Sequence, residues 1–210
     1  MNNNLQISLS EGEILDRYSI LEIKYNKIND TRKNYVLSEL KDYSRFNIIK
    51  ERFILYYKLL YFINNKIWDL QVIIKQITYL NEKYAIISYD ILESNQSRFR
   101  IKNIINNISN SIFKEQKGYD ISENTIHIKS DDINYIYLII YGILLFDNIN
   151  IQFDYNVSDN FKNKILYLFP SLKIVNNSNT YLDIDIFNKD NNSLYNFINN
   201  ELSVIFKDKI

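Results

Sequence analysis

The chain has no cysteine, one histidine, one proline and three glycines among its 210 residues. Without cysteine there is no disulfide, no thiolate nucleophile and no cysteine-based zinc site. One histidine excludes a multi-histidine metal centre, so no metal or cofactor is expected. No apolar run reaches the roughly 18 residues that a membrane span requires. The run Tyr135 to Phe146 is apolar but short, and reads as a buried helix. Met-Asn-Asn-Asn at the start lacks the basic and apolar regions of a signal peptide. The expectation is a soluble cytoplasmic protein, in the host cytoplasm if the chain is viral.

Excess charge is also missing: 25 Lys and Arg balance 25 Asp and Glu. Nucleic-acid binding calls for a clustered basic face, so no nucleic-acid partner is expected. Residues 1–120 hold 18 basic against 14 acidic side chains, and residues 121–210 hold 7 against 11. This asymmetry supports two domains, 1–120 and 121–210.

What is abundant is aromatic, with 18 Tyr and 12 Phe. Tyrosine buries area and keeps a polar tip. Asn, Ile and Lys are also plentiful, which reads as codon bias from an AT-rich genome such as that of a virus or bacterial parasite. Individual Asn residues therefore carry little weight.

The first domain reads as helices. Ser10-Glu11-Gly12-Glu13 has the form of a capping box, with Ser10 accepting from the Glu13 amide and the Glu13 carboxylate returning to the Ser10 amide. A helix follows to about Asn29, and a shorter one covers 32–44. A long helix spans about 47–79, with Ile49, Phe53, Tyr56, Leu60, Ile63, Ile67, Leu70, Ile74 and Ile77 on one seam. Another spans about 84–113, with Tyr84, Ile87, Ile91, Ser94, Arg98, Ile101, Ile105, Ile108 and Ile112. Two helices of equal length joined by a short turn predict an antiparallel hairpin with coiled-coil geometry, roughly 45 Å long at 1.5 Å per residue. The bundle should be elongated.

Ser94 and Arg98 interrupt the second seam. Pairing across the turn sets Asn64, Trp68, Asp69, Asn95 and Arg98 near one level. A buried charge needs a partner, and Asp69, Asp16 and Glu22 are candidates for Arg98. One reading is a polar layer that fixes helix register. The other is a ligand site in which Glu13, Asp16, Arg98 and Lys102 meet a phosphate- or sugar-bearing molecule. Trp68 serves as a packing anchor in the first reading and a stacking platform in the second.

Gly12-Glu13-Ile14-Leu15-Asp16-Arg17, followed by Ile20-Leu21-Glu22-Ile23-Lys24, resembles the opening of the domain of unknown function 6165 family. Asn64 before Ile67-Trp68-Asp69 fits a later block of that family. Asn95, Arg98, Lys102 and Asn106 match Asn-x-x-Arg-x-x-x-Lys-x-x-x-Asn, and Glu115-Gln116-Lys117-Gly118-Tyr119 resembles the closing block. Departures are Gln96, where Asp is frequent, and Gly118, where Ser is frequent. The resemblance covers about half the chain and brings Arg17 and Lys24 into the candidate set. It carries no established activity. It implies an accessory module associated with glycan assembly.

The second domain reads as a small three-layer α/β unit. Strands are expected at Asn124–Lys129, Ile149–Tyr155, Leu172–Val175 and Tyr181–Phe187, with helices at Asp131–Phe146, Asp159–Phe169 and Leu194–Phe206. Strand–helix–strand order predicts a mainly parallel, Rossmann-like sheet. It is similar to half of a heptosyltransferase-like glycosyltransferase, but Ser130-Asp131-Asp132 offers no glycine loop for a phosphate. These two acids read as a helix cap. His127 reads as structural, and Asp183 and Asp185 as a solvated strand edge.

The fold class is therefore α+β. Two functions remain: an accessory or interaction protein that binds a protein partner or itself, or an enzyme binding a sugar phosphate or nucleotide sugar. The absent glycine loop and sparse catalytic groups favour the non-enzymatic one.

Overall fold

A computed structural model describes residues 8–79, 81–113, 115, 122–129, 135–176 and 192–207. The chain is α+β, helical in its first part and carrying a small parallel sheet in its second. Two compact units divide the described residues. One lies within Met1–Ile91 and Ile101–Gln116, the other within Leu92–Arg100 and Lys117–Ile210.

In the first unit α1 covers Glu11–Lys27 and α2 covers Arg32–Tyr43. A 3-10 turn, Ser44–Phe46, leads into α3 (Asn47–Arg52) and α4 (Ile54–Ile74). α1 packs against α2 and α4. The expected long helix is thus broken at Phe53, where the backbone leaves helical geometry at φ −109° and ψ 30°. Phe53 stays buried, as do Tyr56, Leu60, Ile63 and Ile67, so the break leaves the seam periodicity intact. The helix also ends earlier than expected. The amides of Gln76 and Ile77 turn back to the carbonyls three residues before them, the tightened geometry of a fraying helix end.

α5 spans Glu82–Ile108 and passes through both units. Asn81 caps its start, accepting from the Tyr84 amide at 2.9 Å. Its end is set by Asn110 in the left-handed region (φ 52°). The Ser111 amide donates to the Asn106 carbonyl and the Asn110 amide to Asn107, the paired bonds of a Schellman stop. Ile112, expected on the seam, lies past this stop and is exposed.

The second unit contains β1 (Glu123–Ile128), α6 (Tyr135–Leu145), β2 (Asn148–Phe153), α7 (Asp159–Leu168) and β3 (Lys173–Ile174). The strands are parallel in the order β1-β2-β3, with Ile126 opposite Ile151. Gly142 lets α6 approach the sheet, since a Cβ there would stand 2.6 Å from Ile126 Cδ1. α7 begins at Ser158, which accepts from the Phe161 amide, and stops one residue short of Phe169, which precedes Pro170. The expected last helix is three joined pieces: α8 (Asn192–Phe197), a π turn (Ile198–Leu202) and α9 (Ser203–Lys207). Leu194, Ile198, Leu202 and Phe206 remain buried at four-residue steps. The expected strand Tyr181–Phe187, with Asp183 and Asp185, and the junction Ser130-Asp131-Asp132 lie outside the described residues. No described helix is long and apolar enough to cross a membrane.

Candidate functional site

The first turn of α1 is where polar groups converge in the first unit. Ser10 Oγ accepts from the Glu13 amide at 3.2 Å, as the capping motif predicts. The Glu13 carboxylate does not return to Ser10; its Oε1 accepts from Lys102 Nζ at 2.6 Å. A second carboxylate, Glu115 Oε2, meets the same ammonium at 2.7 Å. The Lys102 side chain is only 8% exposed. Burial alone would lower its pKa, but the bonds from Glu115 and Glu13 and the nearby charge of Asp16 outweigh that and raise it.

Gly12 sits beside this pair. Its amide, one of the unpaired donors of a helix start, donates to Asn106 Oδ1 at 2.9 Å. A Cβ at Gly12 would lie 2.6 Å from both that oxygen and the Lys102 carbonyl. Only glycine lets the start of α1 come so close to α5.

One turn further along α1, buried Asp16 accepts from Asn64 Nδ2 at 2.9 Å. Asn64 also donates to Ser19 Oγ at 2.8 Å, and Ser19 Oγ donates to the Asp16 carbonyl at 2.7 Å. Asp16, Ser19 and Asn64 form a closed buried loop between α1 and α4.

The other expected residues make separate contacts. Asn95 Oδ1 accepts from Arg98 Nη1 at 3.4 Å, and both belong to the stretch of α5 in the second unit. Two of the three carboxylates considered for Arg98 pair with lysines. Asp69 bridges to Lys27 on the surface, and Glu22 holds Lys50 at 2.6 Å. The Lys50 ammonium also lies over the rings of Tyr18 (4.7 Å) and Tyr57 (4.3 Å), a cation–π arrangement. Burial first, then the Glu22 carboxylate, raise the Tyr57 pKa above its ordinary value. Arg17 is exposed and paired with Glu39, whose hydrogen bond raises its pKa. Lys24 contributes its carbonyl to the Ile28 amide at 2.9 Å, and Trp68 is half-buried on α4.

Several polar residues outside the expected set contribute. Ser19 and Glu115 complete the first unit's layer, and Asn106, matched earlier only as a motif position, fixes Gly12. Ser19 stands three residues from Asp16, on one helix face, a spacing that marks it in hindsight. In the second unit, Ser97 Oγ and Arg100 Nη1 each donate to the Leu144 carbonyl at 2.8 Å. Arg100 Nε also reaches Asp147 Oδ1 at 3.2 Å. The other Asp147 oxygen accepts from the Ser122 amide (3.0 Å) and hydroxyl (2.7 Å). Arg100 thus caps the C-terminal end of α6, where a cation is favoured. Burial would raise the Asp147 pKa, but the Ser122 bonds and the Arg100 charge lower it overall. No local sequence pattern joins residues 97, 100, 122 and 147.

His127 Nδ1, on β1, stands 3.2 Å from Oδ1 of Asp154, the residue after β2. Among the described residues no group of three or more His, Cys, Asp or Glu is placed to hold a metal ion. No family model matches the chain, and neither does any curated protein or solved structure. The resemblance to the domain of unknown function 6165 family rests on its motif residues alone.

Proposed function

We propose that the chain is a non-catalytic accessory or interaction protein of the cytoplasm, in which the polar layer of the first unit holds the helices in one register. The observation that carries this reading is that the layer's polar groups bind one another. Lys102 is held by Glu13 and Glu115, and Asp16 by Asn64, so these groups spend their bonds on one another. A general base or an anion site needs at least one group turned to its ligand. The association with glycan assembly comes from the motif resemblance.

A sugar-phosphate or nucleotide-sugar ligand is the second reading, and one observation favours it. The two carboxylates on Lys102 are 39% and 36% exposed, which leaves them open to hydroxyl groups of a sugar. Thermal shift with nucleotide sugars and sugar phosphates separates the readings. A ligand at a hundred times its Kd adds about 2.7 kcal/mol to stability. The interaction reading expects no ligand-dependent shift in wild type. A shift that disappears in Lys102→Met or Arg98→Ala would overturn it.

A further inference from the structure

Residues 32–52, from the start of α2 to the end of α3, contain no buried side chain. The chain on either side is anchored in the core, at Leu21 and Ile23 before it and at Phe53 and Tyr57 after it. Polar and ring contacts tie the segment to α1. Arg17 pairs with Glu39 on the surface, the Tyr18 hydroxyl donates to Asn47 Oδ1 at 2.7 Å, and Lys33 lies 4.5 Å over the Tyr25 ring. A segment without buried apolar anchors opens at lower cost than the core around it. Both of its ends offer a place to turn: Ile28 is extended at φ −89° and ψ 127°, and the helix breaks at Phe53.

One side chain of this segment enters a defined site. The Lys50 ammonium stands 4.7 Å from the Tyr18 ring and 4.3 Å from the Tyr57 ring, and Glu22 Oε1 accepts from it at 2.6 Å. The two rings meet at 67°, as adjoining walls. Ring faces at this distance attract a cation, and aromatic cages built this way recognise ammonium ligands. All three cage side chains belong to α1 and α4, so the cage does not depend on α3. We propose that residues 32–52 are a lid over a site for a primary alkylammonium group, and that Lys50 is the chain's own occupant of it while the lid is closed. Glu22 selects the primary amine, because a quaternary ammonium keeps the ring contacts but has no N–H to donate. A lysine of a partner protein and a free alkylamine carry the same group. Either must displace Lys50, so its affinity is reduced by the fraction of chains that are open. None of the groups of the polar layer takes part, and the site goes beyond the register role proposed above.

Titration of the full chain with n-butylammonium, followed through the Tyr18 and Tyr57 ring signals in proton NMR, tests this. Lys50→Ala and Lys50→Gln leave the cage intact and remove its occupant, so both should bind about tenfold or more tightly than wild type. Adding Glu22→Gln should cancel the gain. Tetramethylammonium should bind the Lys50 variants more weakly than n-butylammonium. Nα-acetyl-lysine amide separates the sources: binding like n-butylammonium admits a protein lysine, and exclusion leaves a free amine as the occupant. Hydrogen exchange of wild type reads the lid, whose amides in α2 and α3 should exchange about tenfold or more faster than those of α1 and α4. Lys50 variants whose ring signals do not respond, or whose binding Glu22→Gln leaves unchanged, overturn the site. Equal binding of tetramethylammonium overturns its selectivity, and uniform protection from α1 to α4 overturns the lid. Each of these results leaves the nucleotide-sugar titration unaffected.

Discussion

The two halves of α5 follow the same helical spacing and meet different ends. From Glu82 to Leu92 only Ile87 is buried, while Ile86, Tyr89 and Leu92 face out. From Ser94 to Ile108, Ser94, Ser97, Lys102 and Asn106 are buried along with Ile101, Ile104 and Ile105. The half with more polar residues in its interior is the better covered one. An apolar side chain left in water costs little in specificity and is common. A buried polar group must be matched by a partner on another element. Partnered polar residues such as Ser97, Lys102 and Asn106 therefore say more about tertiary packing than the apolar ones around them.

The largest effect expected from this contrast is at Gly12, which meets the buried half. Gly12→Ala places a methyl 2.6 Å from the Lys102 carbonyl, a backbone atom that cannot rotate away. Overpacking of this kind costs about 3 kcal/mol at the upper end, or a Tm lower by roughly 6–12 °C for a chain of this length. Calorimetry measures it. A variant that melts within a degree or two of wild type would mean that α1 does not depend on this close approach.

A smaller, pH-dependent effect is expected where Arg100 and Ser97 hold the end of α6. The pKa of Asp147 is depressed in the folded chain. Its contribution is therefore complete above the unfolded carboxylate value of about 3.9 and is lost as pH falls through the lower folded value. Asp147→Asn keeps an acceptor but not the charge, so it should cost about 1–2 kcal/mol at neutral pH. Below pH of about 4 the gap between variant and wild type should close. Urea unfolding at several pH values checks this. A gap that stays constant into acid would remove Asp147 as its source.

Much of the helical order was legible because its signals are local. Ser10, Asn81 and Ser158 each accept from the amide three residues on, and the seam from Phe53 to Ile67 is buried as its spacing predicts. The break at Phe53 was not legible, because the buried ring keeps its place in the pattern. The end of α5 depends on Asn110 adopting a positive φ, which its type permits but does not demand. In the candidate site, Asp16, Asn64, Glu13 and Lys102 were found from motif and spacing, and two pairs among them are made between helices. Glu22 and Asp69 were assigned toward Arg98, yet their carboxylates reach lysines on nearby helices. Charge type selects a set of partners, and only the packing of helices selects one of them. The Arg100–Asp147–Ser122 cluster joins residues far apart in sequence, and nothing local announces it.

The smallest effect should come from the exposed half of α5. Ile86→Gln replaces an apolar side chain that is already 55% exposed. Its stability should stay within about 0.5 kcal/mol of wild type. Urea unfolding of variant and wild type reads this directly. A loss of about 2 kcal/mol or more, the size of a core truncation, would place Ile86 in the packing of the fold. The difference between the halves of α5 would then be one of degree, and exposure alone would not separate them.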